Sequence, residues 1–196
     1  AGQPAEALRK QLCGTGPKRI LNFNDNNFYG NDRASFQERV ACVRERWEAG
    51  QYGSWGALVT GDFFSDPRNL RLVKESGCSA LFSGVESFDV NWTASQNKKQ
   101  NGLRDQVSMI RECLESGVVF LYGLMLDLST RTIAEVRREL DMVFSCSDIT
   151  LPAFLSLPIP FPGTPYFYEK LDAGAILPDT RIRDLDSTTI TVRPMD

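Results

Sequence analysis

The chain has 196 residues, with 22 Lys and Arg against 25 Asp and Glu and a formal net charge of −3. That length buries one substantial core or two small ones, and the mildly acidic balance lacks the basic stripe that general nucleic-acid or anionic-membrane binding needs. There is no histidine, which excludes Ser-His-Asp and Cys-His catalysis, His-ligated zinc and the iron site built from two histidines and a carboxylate. No apolar run reaches the roughly 18 residues of a membrane span.

Residues 4–12 read as a short helix through Ala5, Leu8 and Leu12, and a first strand follows at Ile20–Phe23. Phe36, Val40, Val43 and Trp47 recur on one helical face, ending at Gly50. The second strand, Trp55–Thr60, leads to Asp66-Pro67, an N-cap and first-turn signature. After Gly77 comes a third strand, Ala80–Val85. Leu103, Val107, Ile110 and Leu114 then form a helical stripe closed by Gly117. The run Val118–Leu126 is apolar on both faces, the pattern of a parallel strand covered by helices. Ile133, Val136, Leu140 and Val143 form another stripe, followed by a fifth strand, Ile149–Leu157, and a proline-rich turn over Leu157–Pro165. Beyond Gly174 the pattern weakens. Residues 175–196 hold one β-prone run, Thr188–Val192, equally compatible with a terminal strand, a linker or a tail.

Alternating strands and helices give an α/β class with a parallel sheet and right-handed crossovers. Five strands are too few for a closed eight-fold barrel. A helix standing before the first strand implies that one strand lies upstream of Ala1. The expected organisation is a core over residues 1–174 and an extension over 175–196. Cys13, Cys42, Cys78, Cys113 and Cys146 contain no C-x-x-C pair, which reads as reduced thiols in a cytoplasmic setting. A sheet lacking one strand also predicts self-association through its exposed edge.

In parallel α/β folds the chemistry gathers at the carboxyl ends of the strands. Here those ends carry Asn24, Asp25, Asn26 and Asn27; Thr60 and Asp62; Glu86 and Ser87; and Asp127, Ser129 and Thr130. Turn formation accounts equally well for Asn26 and Asn27, whereas helix capping is the better account of Asp127 or Ser129 and solvation of Asp62. Glu86 stands apart, because it ends the run Phe82-Ser83-Gly84-Val85, where an ionised carboxylate needs a partner. From the residues alone, a cofactor-dependent enzyme, a non-catalytic barrel binding a nucleoside-like ligand, and a Mg²⁺ enzyme using Asp25, Asp62, Glu86 and Asp127 all remain open.

Four segments carry a resemblance. Phe23-Asn24-Asp25-Asn26-Asn27-Phe28 resembles the F-x-D-[DN]-N-F segment of radical S-adenosylmethionine enzymes, in the subgroup with a cobalamin-binding domain. Glu75-Ser76-Gly77-Cys78 leading to Ser83-Gly84-Val85-Glu86-Ser87 is similar to that subgroup's E-A-G-C … x-G-x-E-S. Asn97-Lys98-Lys99-Gln100-Asn101 is similar to N-K-x-Q-N, and Pro160-Phe161-Pro162-Gly163-Thr164-Pro165 to P-x-P-G-T-P.

The resemblance implies a partial (β/α)₆ TIM-like barrel that binds S-adenosylmethionine, uses a 4Fe–4S cluster for radical chemistry on a small molecule, and works with cobalamin held in a separate domain. It implies that Asn24, Asp25 and Asn26 lie near the methionyl amino group. Glu86 with Ser87 would hold the ribose or amino group, and Lys98 the methionyl carboxylate. Val118–Leu126, ending at Asp127, would pass beside the adenine. The family's C-x-x-x-C-x-x-C loop is not found in the sequence, so the cluster ligands are expected outside this chain.

Overall fold

A computed structural model describes residues 4–12, 19–30, 32–95 and 105–196. Its strands are β1 (Ile20–Phe23), β2 (Ser54–Leu58), β3 (Cys78–Phe82), β4 (Val119–Leu121), β5 (Gly123–Met125) and β6 (Phe154–Ser156). The helices are α1 (Ala5–Gln11), α2 (Arg33–Glu48), α3 (Pro67–Lys74), α4 (Val90–Ser95), α5 (Gln106–Glu115), α6 (Ile133–Ser145) and α7 (Pro165–Asp172). Strands β1-β2-β3-β4 pair in that order, all parallel, and β5 pairs parallel with β6. A bridge between Glu86 and Leu124 joins the two sheets into an open arc. This is a partial, unclosed barrel, with β1 and β6 at its ends.

The apolar run 118–126 is divided, not continuous. Up to Leu121 it pairs with β3; at Tyr122 its carbonyl takes the Ala153 N–H at 2.7 Å, and pairing passes to β6. Gly123 permits the change, because a Cβ there would overlap the Phe154 ring. Nor is the run covered on both faces. Phe120, Tyr122 and Leu124 are wholly buried, whereas Val119 and Leu121 are 47% and 38% exposed on the opposite, concave face. Ile20 and Phe154 are also exposed, so helices cover only one side of the arc.

Local chemistry sets the helix limits. Asp32 accepts the Ala34 and Ser35 N–H groups to open α2, and Asp66 accepts from Arg68 N before Pro67 opens α3. Thr132 and Glu135 close a reciprocal capping box on α6. Gly50, Gly77, Gly117 and Gly174 end helices with φ between 60° and 86°. Two stripes differ from the sequence pattern. In α5 the buried residues are Gln106, Met109, Ile110 and Cys113, with Leu114 turned out; Leu103 lies outside the described residues. In α6 Ile133 is 55% exposed in the first turn, and Glu139 takes a place in the buried face between Val136 and Val143.

The core beneath the rim is aromatic. The ring of Phe28 lies 5.1 Å from Trp55 and 6.3 Å from Phe36, and its N–H bonds the Leu58 carbonyl at 2.7 Å. The last residue of the FNDNNF segment is thus an anchor, fixing the loop after β1 against the end of β2. Residues 175–196 form an ordered strap. Ile176 pairs antiparallel with Val192, Met195 N–H reaches the Leu128 carbonyl, and Leu157 N–H reaches the Ser187 carbonyl. Among the described residues no helix is long and apolar enough to cross a membrane.

Candidate functional site

Because the strands are parallel, the residues that follow them emerge on one rim. After β1, Asn24 is exposed and accepts the Asn22 side-chain N–H at 2.8 Å, while Asp25 is half-buried and Asn26 exposed. Asn27 is a turn residue: its Oδ1 accepts Tyr29 N–H at 3.1 Å, and its amide reaches the Gly30 carbonyl at 3.4 Å. Beneath this loop Arg39, 3% exposed, donates to the carbonyls of Phe28 and Tyr29 at 3.0 and 2.8 Å. Burial draws the Arg39 pKa below its ordinary value, and the negative charge of Asp25 opposes that shift, followed by Asp32 and Glu38. The Asp25 carboxylate is thereby tied electrostatically to the residue that holds the loop.

After β2, the Thr60 hydroxyl donates to Asp62 at the start of a 3-10 turn, Gly61–Ser65. After β3, Glu86 adopts φ 65°, in the left-handed region that a non-glycine residue enters only at a cost. Its N–H donates to the Gly123 carbonyl at 3.1 Å, and its carbonyl accepts Met125 N–H at 2.7 Å. Ser87 N–H returns to the Val85 carbonyl at 2.8 Å, making a three-residue turn centred on Glu86. Strained backbone of this kind persists only where the surroundings over-determine it, and it concentrates at functional sites. Gly84 lies exposed beside the Glu86 carboxylate; a Cβ there would sit 3.0 Å from Oε1.

Ser87 and Asp127 share the rim but are committed elsewhere. Ser87, 1% exposed, donates its hydroxyl to Glu139 Oε1 at 2.5 Å. Asp127, 3% exposed, accepts Ser129 N–H, Ser129 Oγ and Thr130 Oγ1 at 3.0, 2.7 and 2.7 Å, capping the turn before α6. Lys98 lies outside the described residues. Among the described residues no three carboxylates or thiols come together as a metal site, so Asp25, Asp62, Glu86 and Asp127 do not converge as Mg²⁺ ligands. A cleft of about 380 Å³ lined by Phe88, Asp89, Glu135, Arg138, Glu139 and Met142 contains none of the rim candidates.

The chain superposes on the radical S-adenosylmethionine methyltransferase TsrM of Kitasatospora setae, a structure holding cobalamin and a [4Fe-4S] cluster. The TM-score is 0.65 at 18% identity, over 97% of this chain and 37% of that one. The likeness is one of fold, the same partial α/β barrel. The cobalamin-dependent S-adenosylmethionine radical enzyme OxsB shares it, with a TM-score of 0.57 at 17% identity over 87% of this chain and 26% of that one.

Two methyltransferases of Chlorobaculum tepidum are similar in sequence. The bacteriochlorophyllide d C-12(1)-methyltransferase is 27% identical over 118 residues, 60% of this chain and 25% of the relative. The bacteriochlorophyllide d C-8(2)-methyltransferase is 23% identical over 124 residues, 63% of this chain and 27% of the relative. The chain therefore spans about a quarter of the length of these relatives. No protein-family model matches it.

Among the described residues of this barrel the cysteines do not fit a cluster. Cys42, Cys78 and Cys113 are buried in α2, β3 and α5, Cys146 is half-buried at the end of α6, and Cys13 lies outside the described residues. Burial raises the Cys42 thiol pKa and pushes that of Cys78 up to about 12, the opposite of what thiolate ligation requires. At the rim, the half-buried Glu86 carboxylate beside exposed Gly84 is of the chemistry that a ribose diol or an ammonium group takes as an acceptor.

Three residues escaped the sequence reading: Arg39, Arg131 and Glu139, which are 3%, 2% and 7% exposed. A signal existed for two of them. Arg39 falls three after Phe36 and one before Val40, and Glu139 falls three after Val136, so both occupy core positions in their own helical stripes.

Proposed function

We propose that the rim of this barrel binds S-adenosylmethionine through Glu86, with Asn24, Asp25 and Asn26 beside it. The reaction served is a radical, cobalamin-dependent methyl transfer to a small molecule, with cluster and cobalamin ligands supplied by residues outside this chain. The observation that carries the reading is the left-handed Glu86, fixed by backbone bonds to both sides of Leu124. Support comes from the shared fold and from two relatives that are themselves methyltransferases.

In this reading the chain's own residues bind and orient. Glu86 accepts hydrogen bonds from the ribose hydroxyls or the methionyl ammonium. Asn24 and Asn26 offer amide donors and acceptors at the adjoining strand end, and Asp25 adds a second negative charge toward the ammonium. Bound there, S-adenosylmethionine supplies a sulfonium-activated methyl group. Ser87 and Asp127 serve by shaping the rim rather than by touching the ligand, because their oxygens are already engaged.

A second reading is favoured by the dispersal of the four described cysteines, three of them buried: a barrel that binds a nucleoside without catalysis. Glu86→Gln separates the contributions. It should weaken S-adenosylmethionine binding by about 1–3 kcal/mol, the scale of one charge-assisted hydrogen bond. An unchanged dissociation constant removes Glu86 from the site. Equal affinity for adenosine and S-adenosylmethionine favours the nucleoside reading, since the methionyl group then contributes nothing. The edge strand β1 is also proposed to mediate self-association, and a concentration-independent monomer by light scattering would refute it.

A further inference from the structure

Behind the Glu86 turn lies a buried polar cluster, bordered on one side by the cleft along α6. Glu139 Oε1 accepts both the Ser87 hydroxyl and the Phe88 N–H, each at 2.5 Å, and Oε2 accepts Arg131 Nη1 at 2.7 Å. The same Nη1 stands 3.3 Å from Ser87 Oγ, which also accepts Asp89 N–H at 3.0 Å. The Arg131 guanidinium lies 5.3 Å from the Trp92 ring centroid. The Trp92 indole N–H donates to Thr130 Oγ1 at 2.9 Å, and that hydroxyl donates to Asp127 Oδ2 at 2.7 Å. A continuous polar chain thus runs from the residue after Glu86 to the turn after β5.

Stability alone does not account for this cluster, since apolar residues of equal volume fill such a space without the cost of desolvating two ions. What only the charged pair supplies is a fixed acceptor for the donors of Ser87 and Phe88, the two residues that follow the strained position. Glu86 has φ 65°, a conformation that a non-glycine residue keeps only where its surroundings over-determine it. The sheet bonds both peptide groups that flank it, its N–H to Gly123 and its carbonyl to Met125. Glu139 adds the hold on the two residues that follow, Ser87 and Phe88.

We infer that Glu139 and Arg131 are positioning residues: they hold Glu86 in its left-handed turn and so aim its carboxylate at the ligand. The inference rests on the reading that Glu86 faces S-adenosylmethionine, but the device acts on the protein whether or not ligand is present. Two readouts on the full chain keep these apart. The first is amide hydrogen exchange at residues 86–89 in Glu139→Gln, corrected for the change in global stability. Local protection there should fall; unchanged local protection overturns the proposal, whatever the ligand does.

The second is a double-mutant cycle on S-adenosylmethionine affinity. Glu139→Gln should raise the dissociation constant about tenfold in the wild-type background and less than about twofold when Glu86 is already Gln, the non-additivity expected of residues acting as a unit. Equal losses in the two backgrounds mean that Glu139 acts on the fold as a whole, and overturn the proposal. A wild-type chain that does not bind S-adenosylmethionine refutes the functional reading alone, and the exchange readout then decides the positioning role. If Glu139→Gln does not fold, Ser87→Ala, which keeps the ion pair, carries both readouts, with exchange read at residues 86–88 because Asp89 N–H loses its own acceptor with the hydroxyl.

Discussion

Arg131 and Glu139 meet across 2.7 Å with side chains only 3% and 4% exposed, an ion pair sealed inside the barrel wall. Removing one partner leaves the other as an uncompensated buried charge. Glu139→Gln is therefore expected to destabilise the chain by about 3–5 kcal/mol, and the double variant Arg131→Met/Glu139→Gln by clearly less. Urea denaturation of the three proteins checks this. A double variant no more stable than Glu139→Gln contradicts it.

Gly77 ends α3 at φ 86°, and a Cβ there would lie 2.6 Å from the Trp47 ring. Trp47 has little room to yield, because its indole N–H is bonded to the Gly53 carbonyl at 3.1 Å. Gly77→Ala combines a left-handed backbone with overpacking and should cost about 2–4 kcal/mol. Gly50, also left-handed but with open space around its Cβ position, should lose only the backbone part in Gly50→Ala. Equal losses at the two sites on thermal denaturation would refute the steric argument.

Thiol reactivity should follow burial. Cys42, Cys78 and Cys113 are enclosed, and Cys78 is pushed up to about 12, so little thiolate exists near neutral pH. Of the four described cysteines, Cys146 should react first with a thiol reagent in the native chain. Mass-spectrometric mapping that finds Cys78 modified before Cys146 would contradict this order.

Asp186 makes the strap sensitive to acid. The Thr188 and Thr189 N–H groups, each 2.8 Å from its carboxylate, hold its pKa down to about 2 from an ordinary 3.8. A depressed carboxyl contributes stability above its unfolded pKa and loses it as pH falls through the folded value. That contribution is present above about pH 4 and gone below about pH 2. The protection of the Thr188 and Thr189 amides, measured against their intrinsic exchange rates at each pH, should fall across this window in the wild type, and Asp186→Asn should flatten the response. A wild-type response centred near pH 6 would assign it to another group.

Much of the fold is legible in the sequence because strand and helix periods, Asp66-Pro67 and four helix-ending glycines all act locally. The division of residues 118–126 is not legible, since it depends on which strand the backbone of Tyr122 meets across the arc. Nor is the exposure of Val119 and Leu121, which depends on what covers the concave face. At the rim, Glu86 is picked out in the sequence by the apolar run before it, and in the structure by its φ of 65°, which the sequence does not show. The fates of Ser87 and Asp127 hang on partners 52 and two to three residues away. Only the second kind is visible as a local turn pattern; the first requires knowing that Glu139 turns inward.

The central claim is that S-adenosylmethionine sits against Glu86 and the loop after β1. The most direct measurement is an amide NMR titration of the chain with S-adenosylmethionine, which reports weak binding residue by residue. Shifts are expected at Asn24, Asp25, Asn26 and in the Gly84–Glu86 segment, and they should be lost together in Glu86→Gln. Shifts confined to the cleft beside α6, around Arg138 and Met142, or no saturable shifts at all, would contradict the account.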